Sequence, residues 1–213
     1  MIAGIMTTPR RGQYLPALLK VLTPSVETVI ICSHLPSVGD FLTQALRTYD
    51  AALSRAASGE PVLLCTDDVI APPDWRERWE AIHAEARATR YALFTRHLRL
   101  ATPENLARGW VLTNHANSWY DQAQILIDHQ DWVPRLRAWI EGGGQVPKGK
   151  VFHHDVIAQA YINERHLSYV VTMPSLFEHI GTISNPSLRH SVGKAAVYVG
   201  DIEPASSIGS AAS

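Results

Sequence analysis

An α/β domain with a mostly parallel central sheet flanked by helices is the fold this chain predicts. Short apolar runs rich in β-branched residues alternate with longer segments of helical periodicity. Parallel strands need helical crossovers, and the alternation supplies them. The segments that close the first three strands, TTPRR, CSH and TDD, are polar and rich in reactive groups. Ligands in such sheets sit outside the carboxyl ends of the strands, so these loops are expected to share one crevice. With 213 residues, 46% of them hydrophobic, the chain can build one sizeable core, and a single domain is expected over about 1–200. Two halves are expected within it, about 1–110 and about 111–200, the second the less regular. The small, polar stretch 201–213 is expected to fray.

Along the chain, Met1 to Met6 reads as a first strand, and Tyr14 to Leu22 as a helix after a polar turn. Thr28 to Cys32 is a second strand. From Phe41 to Ala57, Leu42, Ala45, Leu46, Tyr49 and Leu53 recur at helical spacing. Val62 to Cys65 is the third strand. Asp74 to Thr89 is a charge-rich helix with Trp75, Trp79 and Ile82 on one face, and Tyr91 to Phe94 is a fourth strand. In the second half, Asn114 to Asp128 reads as a polar loop feeding a strand at Gln124 to Ile127, and Asp131 to Ile140 as an amphipathic helix. EGGGQVPKGK is too rich in glycine for any helix or strand to cross; its glycines are expected to form a flexible lid. Asp155 to Arg165 is a helix that Asp155 is placed to cap. Ser168 to Thr172 is the last strand.

The formal net charge is −1, so no global field draws the chain to nucleic acid or an anionic membrane. Arginines do gather between Arg76 and Arg108. Cys32 and Cys65 end predicted strands and are expected to be buried free thiols of a cytoplasmic protein. No apolar stretch approaches the roughly 20 residues of a membrane span, and Met1 to Met6 is too short for a secretory signal.

Four constellations carry candidate chemistry. Asp67 and Asp68 follow directly on an apolar strand. Oxygen ligands suit hard divalent cations, and an incompletely caged ion leaves positions for substrate phosphates; the plainer alternative is a solvated turn. The loop Thr7 to Arg11 offers hydroxyls and two guanidiniums that could stack on a base or fork onto phosphate, or could be an ordinary turn. Asp155, after His153 and His154, is either a helix cap or an ionised carboxylate able to take a proton from an attacking hydroxyl. His179, in PSLFEHIG, is either a structural histidine or an imidazole ligand beside Asp68.

Taken in order, TTPRRGQYL, TDDV, WYDQAQILID, HHDVIAQAYI and PSLFEHIGTIS resemble the nucleotide-sugar glycosyltransferases of the GT-A fold, over roughly 1–190. The last segment is the most specific. The resemblance implies an inverting, metal-dependent transfer from a nucleoside diphosphate sugar, UDP being the commonest donor nucleotide. It implies Asp68 and His179 as ligands of Mn²⁺ or Mg²⁺, and Asp155 as the general base. It implies donor contacts from Thr8, Arg10, Arg11, Ser33, Asp67, Gln122 and Ala123. The acceptor is left open among a glycan, a protein and a modified nucleic-acid base. Two departures stand out: the acidic motif reads Thr66-Asp67-Asp68 rather than Asp-x-Asp, and histidine precedes the single Asp155. The rival readings are a nucleotidyltransferase, which usually carries a glycine-rich loop such as G-x-G-T-R after its first strand, and a non-catalytic nucleotide- or sugar-binding module.

Overall fold

The computed structural model describes residues 1–9, 12–33, 41–114, 122–144, 154–180, 195 and 197–199; for 41–45, 131, 154 and 155 it describes the backbone alone. The first half follows the predicted alternation: β1 (Ile2–Thr7), α1 (Leu15–Leu22), β2 (Thr28–Ser33), α2 (Phe41–Leu53), β3 (Val62–Thr66), β4 (Val69–Ile70), α3 (Trp75–Ala86) and β5 (Arg90–Ala92). A 3-10 turn (Leu98–Leu100), α4 (Pro103–Arg108) and β6 (Trp110–Thr113) come next. The chain continues through β7 (Ala123–Leu126), α5 (His129–Glu141), α6 (His154–Glu164), β8 (Tyr169–Thr172) and β9 (Glu178–His179).

Seven strands form one sheet in the order β2-β1-β3-β7-β5-β8-β6. β2, β1 and β3 pair in parallel, as do β5 and β8. β7 runs antiparallel to both β3 and β5, and β6 antiparallel to β8. The sheet is therefore mostly parallel and flanked by helices, the fold class its sequence predicts.

Strand alternation sorts the side chains into two cores. Ile2, Met6, Val62 and Leu64 join Tyr49 and Ala52 of α2, Trp132 and Leu136 of α5, and Tyr161 of α6. Ala3, Ile5, Leu63 and Cys65 join Leu18 and Leu22 of α1 and Trp75 and Trp79 of α3. Both faces of β1 and β3 are covered, which is why these strands read as unbroken apolar runs. Gly4 permits the close seating of α2: a Cβ there would lie 3.0 Å from the Ala52 Cβ.

Trp75 opens α3 directly after the acidic loop and is fully buried. Its ring meets Phe177 edge-on, with centroids 5.4 Å apart. Trp75→Ala should cost about 3–5 kcal/mol, the usual penalty for deleting a buried aromatic, read as a lower urea midpoint at unchanged slope. Trp75→Phe should recover part of that loss. A midpoint for the alanine variant equal to wild type would show that this packing contributes nothing.

Some boundaries differ from the expectations. α2 ends at Leu53 rather than Ala57, and α3 at Ala86 rather than Thr89, where Arg87 adopts the left-handed conformation that closes a helix (φ 48°). α4 is too short to show a periodic apolar face; Thr102 caps it by accepting the Asn105 amide at 3.2 Å. In the glycine-rich segment, which no helix crosses, Gly142 to Gly144 close α5. Their amides donate to Ala138, Ile140 and Trp139 carbonyls at 2.9, 3.2 and 2.9 Å. A Cβ on Gly144 would fall 2.2 Å from the Trp139 indole, so glycine is required there by close packing. Residues 145–150 lie outside the described residues, as does the 201–213 tail. Among the described residues no helix is long and apolar enough to cross a membrane.

Candidate functional site at the carboxyl ends of the strands

The parallel register brings the predicted loops together. Thr7 at the end of β1 is level with Ser33 at the end of β2, and Met6 is level with Thr66 of β3. Because β7 is antiparallel, it begins where β3 ends: the Thr66 amide donates to the Gln122 carbonyl at 3.1 Å. The chain after β3 then crosses over the end of β1, with the Asp67 amide donating to the Met6 carbonyl at 3.1 Å. On the side-chain level, the Thr7 hydroxyl donates to Asp67 Oδ2 at 2.5 Å. Asp67 is 0% and Asp68 1% exposed, so the pair is not a solvated turn.

A two-stranded ladder completes the site. β4 pairs antiparallel with β9, aligning Val69 with His179 and Ile70 with Glu178, and the Ile180 amide donates to the Asp68 carbonyl at 2.9 Å. This carries His179 Nε2 to 3.0 Å from Asp68 Oδ2, across 111 residues of sequence. The Phe94 ring, itself buried, borders the imidazole with centroids 6.3 Å apart.

The remaining predicted residues fall as follows. Thr8 is half-buried beside Thr7, and Ser33 is exposed at the tip of β2. Gln122 is half-buried, and its side-chain oxygen and the Thr66 hydroxyl are both buried with no hydrogen-bond partner among the described residues. The Ala123 side chain is packed in the core. Asp155 is the second residue of α6, inside the first turn rather than ahead of it, where backbone amides still favour an ionised carboxylate. Arg10, Arg11 and His153 lie outside the described residues. Among the described residues no group of three or more His, Cys, Asp or Glu side chains is placed to hold a metal ion; Asp68 and His179 stand as a pair.

The sequence singled out the loop Thr7 to Arg11 and the resemblance narrowed it to Thr8, whereas Thr7 is the hydroxyl that reaches the acidic pair. Sequence reasoning also missed β4 and β9, since two-residue strands show no periodicity. A signal existed in the β-branched Val69-Ile70 directly after the acids.

Both cysteines are free, as expected, but only Cys65 is buried. Burial, and then the charges of Asp67 and Asp68, push its thiol far above the ordinary value of 9.0. It should remain a neutral, unreactive thiol at any pH the fold survives, because the thiolate is the nucleophile. A thiol reagent at pH 8 should therefore modify one cysteine, the half-buried Cys32, in the native protein and both in denaturant. Rapid native labelling of Cys65 would contradict the packing around the acidic pair.

No family model matches the chain, and no curated protein matches it. Among solved structures it is similar to the crystal structure of S. aureus TarS 1-349, with a TM-score of 0.48 and 12% identity, over 83% of this chain and 59% of that one. The chain thus spans less than two thirds of that structure. The likeness is a loose one of outline.

Proposed function

We propose that this chain is a metal-dependent glycosyltransferase that moves a sugar from a nucleoside diphosphate sugar, UDP being the favoured carrier, to an acceptor hydroxyl with inversion. The observation that carries the reading is the contact between Asp68 and His179, held at the carboxyl ends of parallel strands by a dedicated two-stranded ladder. A carboxylate oxygen and an imidazole nitrogen 3.0 Å apart form a mixed donor set that fits Mn²⁺ better than Mg²⁺, which prefers oxygen alone. Two protein ligands leave the other positions to diphosphate oxygens. The bound ion would supply charge neutralisation to the departing nucleoside diphosphate.

The chain's own residues divide the remaining work. Asp68 and His179 would hold the cation. Asp67, fixed by the Thr7 hydroxyl, faces the ribose or the sugar. Thr8, Arg10, Arg11 and Ser33 are assigned to the nucleotide, and Gln122 with the backbone at Ala123 to the sugar. Asp155 takes the proton of the acceptor hydroxyl as its oxygen attacks the anomeric carbon opposite the leaving group. The transition state is oxocarbenium-like, as in glycoside hydrolysis.

The test is incubation with a panel of nucleotide sugars and Mn²⁺, with candidate acceptors from the glycan, protein and modified-base classes. Release of a nucleoside diphosphate, with sugar appearing on the acceptor, is the expected result. Pyrophosphate release in a parallel reaction given a nucleoside triphosphate and a sugar 1-phosphate would replace the reading with nucleotidyl transfer, and binding without release in either reaction would replace it with a non-catalytic module.

A further inference from the structure

The backbone just beyond His179 returns to the site at Ala195, and one buried side chain receives it. Glu178 is 6% exposed. Its Oε1 accepts the His179 amide at 2.7 Å and the Ala195 amide at 3.0 Å, and its Oε2 lies 3.3 Å from the same Ala195 amide. The strap after Ala195 is stitched down further along. The Ser175 amide donates to the Val197 carbonyl at 2.8 Å, the Val199 amide donates to the Ser175 carbonyl at 3.1 Å, and Val199 is buried in the core. Strand alternation sends Glu178 to the face opposite its neighbour His179, so the carboxylate has no need to touch substrate.

A two-residue ladder alone is a weak way to hold an imidazole, because isolated short pairings are marginal in water. A carboxylate accepting backbone amides forms charge-assisted bonds, roughly twice as strong as neutral ones. We propose that Glu178 is a positioning residue: by clamping its own strand to the Ala195–Val199 strap, it fixes the His179 imidazole against Asp68. The strap thereby becomes part of the site's scaffold. This rests on the reading of Asp68 and His179 as a cation-holding pair.

Glu178→Met tests it, since a side chain of similar length then offers no oxygen to the His179 and Ala195 amides. Ala195→Pro tests it from the other side by removing the Ala195 N–H and leaving Glu178 intact. Each variant of the full chain is compared with wild type by long-range ¹H–¹⁵N spectra of the metal-free protein. The His179 signal is identified by its loss in His179→Gln, and folding is checked by circular dichroism. In each variant the His179 ring-nitrogen shifts should move away from those of the Asp68-bonded imidazole. Mn²⁺ affinity should fall about 10- to 100-fold, as when an outer partner of a metal ligand is removed. A merely structural role would lower the melting temperature and leave the imidazole shifts unmoved. Unchanged His179 shifts in a folded variant would overturn the proposal. If wild type binds no Mn²⁺, the cation reading fails, and the metal-free spectra still decide whether Glu178 positions His179.

Discussion

Asp68→Asn should lower kcat/KM by about 10²–10³-fold, the scale seen when a preorganised group that meets developing charge is removed. Asparagine keeps the volume of the side chain and an oxygen that can accept the His179 N–H, so the fold and the β4–β9 ladder should survive. What is lost is the negative charge. A neutral amide is a poor ligand for a hard divalent cation, and His179 cannot hold the ion alone. Mn²⁺ titration of the variant should show binding weakened beyond the millimolar range, and extra Mn²⁺ should restore little turnover. Circular dichroism checks the fold. The location of Asp68 argues against a structural role of equal weight: a buried carboxylate beside a second one is costly to keep ionised, and such an arrangement is expected where a cation is to be held. Wild-type turnover in Asp68→Asn would remove the residue from the mechanism and the metal reading with it.

Asp155→Asn should be at least as damaging to turnover, about 10²–10⁴-fold in kcat, because it removes the group assigned to take the acceptor proton. Its signature differs from that of Asp68→Asn. The residue lies in the first turn of α6 and is assigned to the acceptor rather than to the nucleotide, so the Kd for the donor should be unchanged within about threefold. Asparagine is also acceptable near a helix start, which limits the cost to stability. Calorimetry with donor and Mn²⁺, set beside single-turnover rates, separates the two variants. Weakened donor binding in Asp155→Asn would mean that the residue supports the donor rather than activates the acceptor. Full turnover would assign the base elsewhere.

The first half of the fold was legible because most of its elements set apolar residues against one of the two cores. β1 and β3 are apolar throughout since helices cover them on both sides, and Trp75 and Trp79 mark the buried stripe of α3. Periodicity reports burial, so elements that bury little escaped it. α4 depends on its caps, and β6 lies at the sheet edge with Leu112 59% exposed. The glycine triplet shows a related limit of composition. Composition records glycine's freedom, whereas Gly144 is required by the indole of Trp139 lying against it.

For the site, the two acids directly after an apolar strand singled out Asp67 and Asp68, and the resemblance singled out His179. Strand direction was enough to gather the loops after β1, β2 and β3 at one end, because parallel strands must all finish on the same side. Three features came only from the tertiary structure. β7 inserts antiparallel and presents Gln122 at the end of β3. Thr7, rather than Thr8, supplies the hydroxyl that holds Asp67. The β4–β9 ladder sets His179 against Asp68, with Glu178 tying the strap behind it. All three are hydrogen bonds between residues far apart in the chain, and local sequence carries no record of which distant partner a backbone amide or a hydroxyl will meet.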